Sequence, residues 1–250
     1  MEVYVLGGKK IRIVLTPGET LPDVDVWLVV DLLRASSTAV AFFEHGGKKI
    51  LPVSSVEEAR RLKANLGDNW ILMGERKALP IEGFDLGNSP LAFEYVHLKD
   101  KAGAVMTTSN GTLAYLKAAS TGKAVFVAAA RNAYHAARRA LKLKDTVGIL
   151  CAGKEGRLAL DDCLCAGLLL EEILKMAGNV DLDDGAKVVS ALWEFYGKDL
   201  EKGVYMSESA KLLMELGMKE DIEYCCKVNC SFVVPTVVLL EGRPCLLLQE

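Results

Sequence analysis

The chain of 250 residues is 51% hydrophobic and 25% charged, and its 30 Lys and Arg against 33 Asp and Glu leave a net charge of −3. That balance excludes a disordered chain, and with no basic stripe carrying interleaved aromatics, no nucleic-acid partner is expected. The odd number of cysteines, 7, in a chain long enough to bury a large core points to reduced thiols rather than a disulfide framework.

The opening residues, MEVYVLGGKKIRIVL, alternate apolar and polar side chains around Gly7-Gly8 and predict a hairpin, not the unbroken apolar core of a leader. No apolar run reaches the ~18 residues of a membrane span. A cytoplasmic protein with no membrane partner is therefore expected. Strand cores follow at Val26 to Val30, Ile50 to Val53, Trp70 to Met73, Ala104 to Thr108, Val125 to Ala129 and Val147 to Cys151. Each is apolar on both faces, as in a parallel sheet covered by helices. Between them lie helices: Ala35 to Phe43, ended by Gly46-Gly47, then Val56 to Leu66, started by overlapping capping boxes at Ser54-Ser55-Val56-Glu57-Glu58, and a short one opened by Ser89-Pro90.

After Ala159 the pattern changes to helices at Asp162 to Met176, Leu182 to Lys198 and Ser207 to Leu216, and then to two apolar strands around Glu241-Gly242-Arg243. Pro235 favours an edge position for that hairpin. The expected fold is α/β, three-layer, with a mostly parallel sheet flanked by helices and a C-terminal helical and hairpin extension. It forms a single domain over 1–250 with possible sub-lobes at 1–159 and 160–250. The apolar C-terminal strands make a homodimer an open expectation.

Chemistry-bearing residues recur where strands end: Asp31 with Arg34, Gly74-Glu75-Arg76-Lys77, Ser109-Asn110-Gly111-Thr112, Arg131-Asn132 and Gly153-Lys154. Parallel strands are expected to bring these tips to one sheet edge, where α/β proteins bind ligands. Asp31 reads either as a metal-binding acid or as a helix cap. The 109–112 loop reads either as an anion cradle of backbone N–H groups and hydroxyls or as a plain turn with capping hydroxyls. Asp161-Asp162 reads either as dipole-stabilising first-turn acids or, facing Asp31, as an oxygen-rich Mg²⁺ site. Gly148-x-x-x-x-Gly153-Lys154 imitates a P-loop, but Gly148 falls inside a strand and Glu155 replaces the Ser or Thr. Leu33 stands where an aspartyl phosphatase of the D-x-D type needs its second acid.

Taken together, VDLLRASST, LMGERKALPIEGFDLGNSP, TTSNGT, ILCAG, LALDDCLCAG and EDIEYCCKVNCSFVVP resemble the 2-phosphosulfolactate phosphatase family, over Val24 to Pro235. The resemblance implies a Mg²⁺-dependent phosphomonoesterase that hydrolyses (R)-2-phospho-3-sulfolactate to sulfolactate and phosphate. By matching motif it implies Asp31, Arg34, Glu75, Arg76, Asn110, Gly111, Thr112 and Asp162 as site residues. On the reading adopted, Asp31, Glu75 and Arg34 are expected to be catalytic, Arg76, Ser109, Asn110, Gly111, Thr112 and Gly153 to bind substrate, and Asp31 with Asp162 to hold the metal. Arg131, Lys154 and Arg157 are additional candidate cations. The family pattern has Ser-Leu-Glu-Asp where this chain has Ala159-Leu160-Asp161-Asp162, which leaves Asp161 without an assigned role. Two other readings stay open: a phosphatase acting on another small phosphorylated carboxylic acid, and a non-catalytic anion or nucleotide sensor.

Overall fold

Apolar runs and amphipathic segments alternate along the chain, and each takes the secondary structure its period allows. The computed structural model describes residues 8–143 and 145–249. In chain order the elements are β1 (Lys9–Val14), β2 (Val26–Val30), α1 (Ala35–Glu44), β3 (Ile50–Pro52), α2 (Val56–Leu66), β4 (Trp70–Arg76), β5 (Leu79–Pro80), β6 (Gly103–Thr107), α3 (Gly111–Ala119) and β7 (Ala124–Ala128). There follow α4 (Ala133–Leu143), β8 (Thr146–Cys151), α5 (Leu160–Ala177), β9 (Val180–Leu182), α6 (Asp184–Phe195), α7 (Leu200–Val204), α8 (Glu208–Glu215), α9 (Lys219–Cys225), β10 (Thr236–Leu240) and β11 (Arg243–Leu247). A short 3-10 turn at Pro90–Glu94 stands where Ser-Pro predicts a helix start. The predicted start of α2 is capped, with Ser55 Oγ accepting from Glu58 N at 3.1 Å, but Glu58 Oε2 reaches one residue further back than a capping box requires, to Ser54 N at 3.1 Å. None of the described helices is long and apolar enough to cross a membrane.

The sheet runs β5-β4-β6-β3-β11-β10-β7-β2-β8-β1-β9. Strands β4, β6 and β3 form one parallel block, and β7, β2, β8, β1 and β9 form another. Three successive antiparallel pairings separate them, β3 with β11, β11 with β10 and β10 with β7, so the blocks run in opposite directions along the ladder. A single parallel edge is therefore not how the strand tips meet. Trp27 and Val29 of β2 share one core with Ile71 and Met73 of β4, Ala104 and Met106 of β6, and the buried faces of α1 and α3. Both blocks thus bury residues in one core with these two helices. On the opposite face β1, β2, β7 and β8 pack against α4, α5 and α6, and β4 and β6 against α2, which completes the expected layering.

One expectation about strand placement needs correction. The C-terminal hairpin sits at the middle of the sheet rather than at its edge. Pro235 is tolerated there because it precedes β10 and contributes only its carbonyl, which accepts from Val127 N at 2.8 Å. The predicted N-terminal hairpin depends on residues 1–7, which lie outside the described residues; its second half is β1, paired in parallel with β8 and β9. Gly148 lies inside β8 opposite Trp27, as the rejection of a P-loop requires.

Candidate active site

β2 is buried at every position, and the chain leaves it through Asp31, itself 7% exposed. Asp31 Oδ1 accepts from Ala35 N at 3.0 Å, and the Asp31 backbone N–H and carbonyl are tied to Ser36 Oγ and Ser36 N, both at 2.9 Å. The turn into α1 thus pins the carboxylate at the strand tip. Burial, with lesser contributions from the Asp161 and Glu75 charges, pushes Asp31 up to about 7. The N-terminus of α3 passes close by: a Cβ on Gly111 would stand 2.6 Å from Asp31 Oδ2 and 2.4 Å from Ala35 Cβ. Only glycine permits that approach.

β4 extends through Arg76, past the expected end at Met73. Successive residues of a strand face opposite ways, so Glu75 is turned to the site and Arg76 away from it. Glu75 is 7% exposed; its Oε1 accepts from Ser109 N at 2.7 Å, and its Oε2 accepts from Ala78 N at 2.8 Å and Ser109 Oγ at 3.2 Å. Arg76 instead donates to Thr107 Oγ1 at 2.9 Å and to the Glu75 carbonyl at 2.7 Å. The 108–112 loop is held from within, since Thr108 Oγ1 accepts from Thr112 N at 3.0 Å and Thr112 Oγ1 accepts from Thr108 N at 3.2 Å.

α5 begins with two buried acids that do different things. Asp162 accepts from Leu32 N at 2.8 Å and from Gly153 N at 2.9 Å. It stitches the loop after β2 to the loop after β8. Burial, then the Asp161 and Asp31 charges, hold it well above the usual carboxylate range. Asp161 is also raised by burial, against which the Ser209 and Ser207 hydroxyls and the Lys154 charge favour its ionised form. Its Oδ1 is buried with no hydrogen-bond partner.

A cavity of about 390 Å³ opens between these loops, walled by Asp31, Leu33, Arg34, Glu75, Lys77, Ala78, Asn88, Ser109 and Asn110 on one side of the sequence and by Lys154, Glu155, Arg157, Glu208, Ser209, Leu212 and Leu213 on the other. Asn88 is 4% exposed and its amide oxygen has no partner. Of the residues expected from sequence, Asp31, Arg34, Glu75, Ser109 and Asn110 share this wall, while Arg76, Gly111, Thr112, Gly153 and Asp162 stand behind it and shape it. Arg34 reaches the cavity already engaged: it donates to Asp221 Oδ2 at 2.5 Å and to the Ala78 carbonyl at 2.6 Å. Arg131 is spent on Glu44 at 3.1 Å and stacks over the Tyr224 ring at 4.0 Å. The wall cations without an internal carboxylate of that quality are Lys77, Lys154 and Arg157. Sequence reasoning did not reach Glu208, Ser209 and Asp221, because nothing local marks a residue of a C-terminal helix as a wall of a distant strand tip.

Among the described residues no group of three or more His, Cys, Asp or Glu is arranged to hold a metal. A hard divalent ion such as Mg²⁺ asks for less, one or two carboxylates with water and phosphate completing its shell. Asp31, ionising reluctantly, and Asp161, with its orphaned oxygen, fit that demand.

Residues 13–239 match the model of a family described as 2-phosphosulpholactate phosphatase. A protein of Thermus thermophilus named probable 2-phosphosulfolactate phosphatase is 40% identical over 235 residues, covering 94% of this chain and 95% of the relative. Proteins of the same name from Deinococcus radiodurans, 37% identical over 92% of this chain and 93% of the relative, and from Pseudothermotoga lettingae, 38% over 88% and 92%, are similar along the same span.

Proposed function

Because the chain belongs to the 2-phosphosulpholactate phosphatase family, we propose that it is a Mg²⁺-dependent phosphoric monoester hydrolase converting (R)-2-phospho-3-sulfolactate to (R)-3-sulfolactate and phosphate. The observation that carries the reading is the placement of Asp31 in the wall of a cavity with buried Asp161 beside it. Asp31 sits at the end of a fully buried strand and Asp161 in the first turn of α5, and burial makes the unneutralised charge of each costly.

Asp31 and Asp161 would hold the metal, which when bound neutralises charge on the phosphoryl oxygens and acidifies water. Asp162 has a different task. With both its oxygens taken by Leu32 N and Gly153 N, it fixes the two loops that carry the ligands. Glu75 is held by three donors on its two oxygens, which orients the carboxylate without exhausting its lone pairs. It would accept a proton from the attacking water. Ser109 and Asn110, on the loop that Glu75 anchors, face the same cavity and would position the phosphoryl group. Lys77 supplies charge to that end, and Asn88 offers its unpaired amide.

Phosphate release from racemic 2-phospho-3-sulfolactate, with Mg²⁺ and with EDTA, tests the reading in wild type and Asp31→Asn. Metal-dependent release stopping near half of the ester, abolished in the variant, is expected. A folded wild type that binds the ester with Mg²⁺ yet releases no phosphate would overturn the hydrolase reading in favour of a sensor.

A further inference from the structure

The cation pair at the cavity mouth already has an anion. Lys154 and Arg157 flank a two-residue turn whose central residues, Glu155 and Gly156, have φ of 52° and 76°. The turn is closed by Lys154 N donating to the Arg157 carbonyl at 2.8 Å and Arg157 N to the Lys154 carbonyl at 2.9 Å. Residues opposed across such a turn project to the same side. The backbone therefore sets an ammonium beside a guanidinium, and both residues line the cavity. Glu208, the first residue of α8, answers them: its Oε2 lies 3.7 Å from Lys154 Nζ and 3.5 Å from Arg157 Nη2.

Taking the phosphatase reading as its basis, we propose that Lys154 and Arg157 form the subsite for the substrate's sulfonate, and that Glu208 is a resident counterion which the sulfonate displaces. The other arginines near the strand tips are committed. Arg34 is paired with Asp221, Arg131 with Glu44, and Arg76 is turned to Thr107. A sulfonate keeps its charge at any working pH and spreads it over three oxygens, which a guanidinium fork and an ammonium can share.

The resident pair is built to be exchanged. Its distances are long, and the Arg157 and Glu208 side chains are 62% and 65% exposed, conditions in which ion pairs are weak. Glu208 also loses little on release, because an acid in the first turn of a helix remains stabilised by the helix dipole. A substrate with an uncharged group in place of the sulfonate has nothing to offer the cations in exchange for Glu208. The latch thus discriminates by demanding an anion, a repulsive element working beside an attractive one.

The test compares 2-phospho-3-sulfolactate with 2-phospholactate, which lacks the sulfonate, at constant ionic strength with Mg²⁺. In the double variant Lys154→Met, Arg157→Gln, the ratio of kcat/KM for the sulfonated over the plain ester falls by about tenfold or more, mainly through KM. In Glu208→Gln the KM for the sulfonated ester falls by about threefold or more while that for the plain ester does not fall. A double variant with unchanged melting temperature and a ratio within about twofold of wild type overturns the subsite. A KM for the sulfonated ester that stays level or rises in Glu208→Gln overturns the counterion. Wild type that releases phosphate from neither ester removes the phosphatase reading and the subsite with it, an outcome distinct from turnover without altered selectivity.

Discussion

Asp31 carries the site and costs the fold something to keep. Burial pushes it up to about 7, so between about pH 4 and pH 7 the folded protein holds a proton that the unfolded chain has released. Stability of the metal-free protein therefore falls as pH rises through that window and levels off above it. Asp31→Asn removes the cost, and urea denaturation in EDTA should find the variant more stable than wild type by roughly 2–4 kcal/mol near pH 8 and by less near pH 5. An equal gain at both pH values would mean that the proton is not held. Asp162→Asn should behave oppositely. An amide accepts through one oxygen only, so either Leu32 N or Gly153 N faces an NH₂ group, and a loss of about 1–3 kcal/mol in the same experiment is expected. Asp31 was legible from sequence because strand, acid and helix start are contiguous. The Asp221 carboxylate that engages Arg34 lies 187 residues away, and no local pattern announces such a pairing.

At the level of single elements, β4 shows how one boundary changes a functional assignment. With the strand ended at Met73, Glu75, Arg76 and Lys77 read as one loop whose charges all face the ligand. Because the strand continues through Arg76, alternation sends neighbouring side chains to opposite faces. Lys77, at φ 53°, begins the turn back to β5 and returns to the cavity. Arg76→Ala should therefore lower the melting temperature with kcat/KM changed by less than about threefold, whereas Lys77→Ala should raise KM by about tenfold at unchanged melting temperature. Steady-state kinetics beside thermal unfolding separates the two, and a larger kinetic loss in Arg76→Ala would reverse the assignment. The capped α2 and the apolar strand cores were readable because their signals are periodic and local. Helix α8 was readable as a helix but not as a cavity wall, since Glu208, Ser209 and Leu212 face the site only after the C-terminal helices have folded back over it.

For the whole molecule, layering and element order follow from composition and period, but strand order does not. Apolar content marks β10 and β11 as buried without saying between which neighbours, and Pro235 argued for an edge. Their central position buries Val237, Cys245 and Leu246 in the sheet, while Leu239 and Leu240 beside the turn and Leu248 after β11 remain exposed. Every parallel contact of β3 is with β6, and every parallel contact of β7 is with β2, so the hairpin is what joins the two blocks. A chain ending at residue 235 should lack the cooperative unfolding transition of the full chain by circular dichroism, although each residue named in the chemistry precedes that point. Long-range pairing of this kind also slows folding. The pairing of β11 with β3 spans the longest stretch of chain of any ladder in the sheet, so the segment that locks the two blocks together is also the one whose closure costs the most chain entropy and comes last.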